Sequence, residues 1–211
     1  MKLERFFGPE AQARVARAVR DAEARSAGQI VPVVVERSAR YPETRWIAAV
    51  LLAALATAGA EAGRAGIGAA VLPFLQVAAG AIGWLLAGLE PMERLLAGRR
   101  EMDEATRDRA LRAFHEHGLN RTEKGTGVLV FASLLERRAH VIGDHGIHAK
   151  MGEAEWQRAL DGLVQGMAQG DPARGFCDAI ALVGARLAEH FPRADAPAGN
   201  ELPDALRTSR D

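Results

Sequence analysis

The segment Gly143-Asp-His-Gly-Ile-His148 sets one carboxylate and two imidazoles close together in the chain. It follows a predicted strand, and the end of a buried strand is where ligands often approach an α/β sheet. Asp144 offers hard oxygen to calcium or magnesium, whereas His145 and His148 suit a softer divalent ion. The same residues also read as a turn, with Asp144 and Gly146 shaping the chain and both histidines in solvent. A second polar segment, Asn120-Arg-Thr-Glu-Lys124, precedes another predicted strand. Asn120 could add an oxygen ligand, and Arg121 and Lys124 could attract a phosphate; the plain reading is a polar loop. Gly125-Thr-Gly127 lacks the glycine-lysine pattern of a phosphate-cradling loop and leads into a strand, so no nucleotide is expected. There is no Gly-x-Ser-x-Gly elbow and no full set of catalytic carboxylates, so catalytic residues are not identified. His115 and His117, near a predicted helix end, suit solvated or dipole-facing positions. Cys177, the single cysteine, falls on the apolar side of a predicted helix, where a thiol is expected to pack rather than react.

The elements that must hold these residues follow from periodicity. Proline at position 9 opens a helix whose apolar positions Val15, Ala18, Val19 and Ala22 recur at three and four. Gly28 ends it, and the β-branched run 29–36 predicts a first strand in which Pro32 cannot donate to a ladder. Glu90 to Gly118 is helical in composition, with Leu111 and Phe114 inward, Asp103, Glu104 and Arg107 outward, and Gly118 as a stop. Val128-Leu-Val-Phe-Ala132 predicts a strand buried on both faces, joined through Glu136-Arg137 to Ala139-His-Val-Ile142 as an antiparallel hairpin. Two helices follow. One is striped by Trp156, Leu160, Leu163, Val164 and Met167; the other, opened by Asp171-Pro172, is striped by Phe176, Ile180, Val183, Leu187 and Phe191. Beyond Phe191 periodicity is lost and a flexible tail is expected. The helix between strands one and two favours a parallel right-handed crossover, giving a mixed sheet under helices.

That crossover is interrupted. About 15 uncharged residues separate Arg45 from Glu61 and about 25 separate Arg64 from Glu90, against the ~20 needed to cross a bilayer. Pro73, the glycines and Gln76 of the second run are tolerated in bilayer helices. Glu61-Ala-Gly-Arg64 is long enough only to turn the chain, so a membrane-inserted helical hairpin is expected, with Ala53, Gly80 and Gly83 permitting close approach. Arg37, Arg40 and Arg45 precede it and Arg94, Arg99 and Arg100 follow it, while the tip offers only Arg64. The positive-inside bias therefore places both termini in the cytoplasm and the two helices in the inner (plasma) membrane, with Trp46 and Trp84 as interface anchors. Lysine plus arginine equals aspartate plus glutamate at 27 each, and no basic stripe with interleaved aromatics occurs, so no nucleic-acid partner is expected.

Gly125-Thr-Gly-Val-Leu-Val-Phe-Ala132, Arg138-Ala-His-Val-Ile-Gly-Asp-His-Gly-Ile147, the helix around Trp156 and the opening Gly28-Gln-Ile-Val-Pro-Val-Val-Val35 together resemble the TPM domain family, which groups thylakoid-lumen phosphatase-like proteins with bacterial membrane proteins. The resemblance covers most of the chain outside the hairpin and tail, and resembles most a membrane-anchored bacterial subgroup. It implies an α/β/α sandwich and, as in some members, calcium or another divalent metal or phosphate-ester hydrolysis. It strengthens Asp144 as a ligand, adds Glu136, otherwise a turn residue, as a further one, and leaves His145 and His148 secondary. The expected organisation is 1–44, first helix and strand of the TPM-like domain; 45–90, the transmembrane hairpin; 91–191, the remainder of the domain; and 192–211, the tail. Two functions are consistent with this: an anchored binding or assembly module that meets lipid through the hairpin and a membrane protein through its domain, or a metal-dependent phosphatase.

Overall fold

The computed structural model describes residues 3–62, 68, 70–193 and 205–209. Two compact units emerge, one of Met1–Ser38 with Asp103–Asp211 and one of Ala39–Met102.

The first unit is built on a mixed sheet of four strands in the order β3-β2-β1-β4. The strands are β1 (Gln29–Val35), β2 (Gly127–Ser133), β3 (Arg138–Gly143) and β4 (Arg207–Ser209). β1 and β2 run parallel, with Gln29 opposite Gly127 and Val35 opposite Ser133, and β2 and β3 run antiparallel, as the crossover and hairpin predict. Alternation along β1 builds two cores, because successive side chains point to opposite faces. Ile30 and Val34 join Val128, Val130 and Ala132 against helices α2 (Pro9–Glu23), α8 (Glu153–Ala168) and α9 (Pro172–His190). Val31, Val33 and Val35 join Leu129 and Phe131 against Ala110, Ala113 and Phe114 of α6 (Arg99–Glu116). The result is a helix–sheet–helix sandwich, preceded by a short α1 (Leu3–Phe6). Cys177 is half-buried and packs on the first core, and burial raises its thiol pKa, so the packing role holds.

Three details differ from the sequence reading. The tail expected over 192–211 supplies β4, which runs parallel to β1 with Val33 opposite Arg207. Three residues carry no periodicity, and edge pairing, not pattern, creates the strand. This pairing begins one residue past Pro32, so the missing amide falls beyond the β4 contact. On α6 the inward stripe is Thr106, Ala110, Ala113 and Phe114, while Leu111 is exposed. On α8, Ala159, Leu163 and Gly166 are buried and Val164 is exposed, because small residues let the helix approach α9 closely along a neighbouring stripe.

The second unit holds α3 (Glu43–Ala62), α4 (Leu72–Leu86) and α5 (Glu90–Leu96). α3 and α4 are antiparallel: Arg45 lies over the Trp84 ring at 4.7 Å, a Cβ at Gly83 would fall 2.5 Å from the Ala48 carbonyl oxygen, and Gln76 Nε2 donates to Thr57 Oγ1 at 2.9 Å. Gly83 is thus glycine because backbone touches it. α3 is long and apolar enough to cross a membrane, and its apolar stretch has nothing buried; α4 passes the same test only together with α5, from which it is bent by 103°. The second apolar run is therefore not one long helix. Pro73 sits in the first turn of α4, where its fixed φ and missing amide start a helix, rather than in a helix interior. The helix expected from Glu90 to Gly118 is likewise two, α5 and α6, parted at Ala97-Gly98, with Gly118 in the left-handed region ending the second. Of the turn expected at 61–64, Glu61 and Ala62 instead end α3, and Gly63 and Arg64 lie outside the described residues.

Candidate functional site

Asp144 stands at the end of β3, where its backbone amide donates to the Gly127 carbonyl at 2.8 Å. It caps a single helical turn, α7 (His145–His148), its Oδ1 accepting from the His145 amide at 2.7 Å and lying 3.1 Å from His145 Nδ1. This is ordinary N-cap chemistry for an aspartate. Its Oδ2 is buried and has no hydrogen-bond partner. α7 is clasped to the loop before β2: the Ile147 amide donates to the Gly125 carbonyl at 3.1 Å, and a Cβ on Gly146 would collide with the Lys124 carbonyl. Thr122 Oγ1 accepts from the Thr126 and Gly127 amides at 3.0 and 3.2 Å, so the 119–127 loop is tied to the strand it precedes.

His145 points into solvent with 85% of its side chain exposed. His148 is exposed and stacks on Trp156, ring centroids 6.2 Å apart and inclined by 27°. Both line a groove of about 620 Å³ with Ile142, Gly143, Met151 and Trp156 along β3, one edge strand of the sheet. Trp156 Nε1 is buried without an acceptor. Trp156 reads in the sequence only as core; the signal that could have marked it is its indole N–H, which a core position must satisfy.

The other candidates divide by location. Asn120 is exposed on a short 3-10 turn, Leu119–Arg121, at the same end of β2 as Asp144. Glu136 lies in the β2–β3 turn at the other end of the seven-residue strand, roughly 20 Å away at ~3.3 Å per residue. It is fully buried: Oε1 accepts from the Ser38 amide at 3.0 Å and Oε2 accepts from the Ser133 hydroxyl. Glu136 is therefore a staple between the end of β1 and the β2–β3 turn, and it cannot share an ion with Asp144. Calcium takes about 6–8 oxygens. Among the described residues no group of three or more His, Cys, Asp or Glu is placed to hold a metal, and the orphan Asp144 Oδ2 is one donor of the several needed. The described residues form no cation cage around Asp144.

On the other face of β3, His140 Nε2 is buried without a partner. Burial first, then Arg107 and Arg138 against the opposing pull of Asp103, holds its pKa below the usual histidine value. Burial likewise lowers His117, with Arg207 of β4 next, so His117 is not the freely solvated group its sequence position suggests.

Residues 97–186 match the TPM domain family. The matched span begins within the last residues of the second unit, and β1, which pairs with β2 of that span, lies outside it. No curated protein matches the chain. The fold is similar to the NMR structure of the BA42 protein from the psychrophilic bacterium Bizionia argentinensis, with a TM-score of 0.61 and 20% identity over 99% of each chain. That likeness shows a shared α/β fold with a four-stranded mixed sheet.

Proposed function

We propose that this TPM domain protein is a membrane-anchored binding module, held in the inner membrane by α3 and α4 with both termini on the cytoplasmic side. One observation carries the reading. α3 is a 20-residue helix whose apolar stretch has no protein over it, and its partner α4 is just as bare, with Trp46 66%, Val50 67%, Phe74 77% and Val77 73% exposed. Water does not tolerate a continuous apolar surface of this kind, whereas hydrocarbon does. Arg45 and Trp84 stack at the end of the pair from which the chain enters and leaves, a pairing that suits the membrane interface. α4 alone, 15 residues, spans about 22 Å at ~1.5 Å per residue, so the bilayer must thin locally to match it. Binding is favoured over phosphoester hydrolysis because Asp144 is engaged as a helix cap, Glu136 is a buried staple and no donor set converges among the described residues. The open groove along β3 gives the module a surface for a membrane-protein partner.

The full chain expressed in bacteria should sediment with membranes, resist alkaline carbonate and dissolve only in detergent. Replacing Leu51 with Arg, at about 2.5–3.5 kcal/mol for a charge at mid-membrane, should shift protein into the carbonate supernatant. Wild-type protein released by carbonate would sink the proposal.

A further inference from the structure

A second groove lies on the domain at the β2–β3 turn, away from Asp144. It holds about 350 Å³ and is walled by Phe6, Leu134, Val164, Met167 and Pro172, with Arg137 as its cation. Arg137 is the single non-glycine residue with positive φ, at 52°, among those described. A side chain there is strained, and such strain persists only where the surrounding structure over-determines the backbone. Its guanidinium is exposed and, among the described residues, makes no hydrogen bond or ion pair. The carboxylates nearby in sequence or lining are engaged elsewhere: Glu136 holds Ser38 and Ser133, and Asp171, before Pro172, accepts from the Arg174 amide and faces Arg14 at 3.6 Å. The exposed Val164, misplaced as core by its spacing, is explained as a wall of this groove.

We propose that this groove binds a small amphiphile, a carboxylate head on an apolar tail, with Arg137 gripping the head by a bidentate charge-assisted pair and the wall taking the tail. The volume decides the size class: ligand pockets run from about 300 to 1,000 Å³, and a protein partner needs a surface of about 800 Å² instead. Arginine's planar fork selects a carboxylate over an uncharged head of equal length. The site stands independently of the membrane reading.

The test uses the full chain in lipid nanodiscs with ¹³C-methyl methionine, titrated with octanoate and, as the uncharged control, octanamide. Octanoate should move the Met167 methyl resonance saturably, and octanamide should bind about tenfold more weakly or worse. Arg137→Gly should raise the melting temperature, because glycine takes this φ without strain, and yet weaken octanoate about tenfold. Arg137→Lys should retain binding of octanoate over octanamide. Equal response to octanoate and octanamide, undiminished binding by Arg137→Gly, or a Met167 signal that moves only with a peptide ending in apolar residues would each overturn the assignment.

Discussion

Asp144 divides its carboxylate between two tasks, one oxygen capping α7 and the other buried with no partner. Removing the side chain by Asp144→Ala should cost about 1 kcal/mol of stability, while Asp144→Asn keeps an acceptor for the cap and should cost less. Urea unfolding followed by tryptophan fluorescence separates the two. The turn reading of this segment was open to inspection in the sequence because Asp before a short helix is a local signal. The role of Glu136 was not, because its partner is Ser38, 98 positions away, and no local pattern says that a charged turn residue will face inward. His140 adds a pH dependence. Its pKa falls on folding, from the usual 6.5, so below that value the unfolded chain binds the proton more tightly. The stability that depends on neutral His140 is present above pH 6.5 and lost as pH falls toward the folded value. His140→Gln should flatten the decline of the unfolding midpoint as pH falls below 6.5; an unchanged slope would assign it to His117, which shifts the same way.

Among the elements, those with strong patterns were legible: the buried β-branched strands, the α2 stripe and the Asp171-Pro172 boundary all form where their residues dictate. Elements decided by tertiary pairing were not. β4 is only Arg207–Ser209, and what anchors it is the adjacent Leu206, buried against the first core. Leu206→Ala should therefore lower stability by about 2 kcal/mol, near the low end for a buried leucine because the site lies at the sheet's margin. A mutant as stable as the parent in urea would mean that this segment adds no strand in solution. The break between α4 and α5 was hidden for a different reason. Continuous apolar composition says nothing about where a helix begins, and Pro73 decides that locally.

At the scale of the whole molecule, the interrupted crossover was readable because strand and hairpin signals flank the apolar segment on both sides. The groove at Arg137 was not, since Phe6, Leu134, Met167 and Pro172 come from four separate segments and meet only after folding. The same interruption sets an order of events during synthesis. β1 leaves the ribosome first, yet both of its neighbours, β2 and β4, are encoded beyond the inserted helices. Ile30, Val31, Val33, Val34 and Val35 must therefore wait unpaired, a β-branched stretch of the kind that templates aggregation. Pro32 in its midst withholds one amide from any passing strand, and so protects the nascent chain during the interval that the insertion imposes.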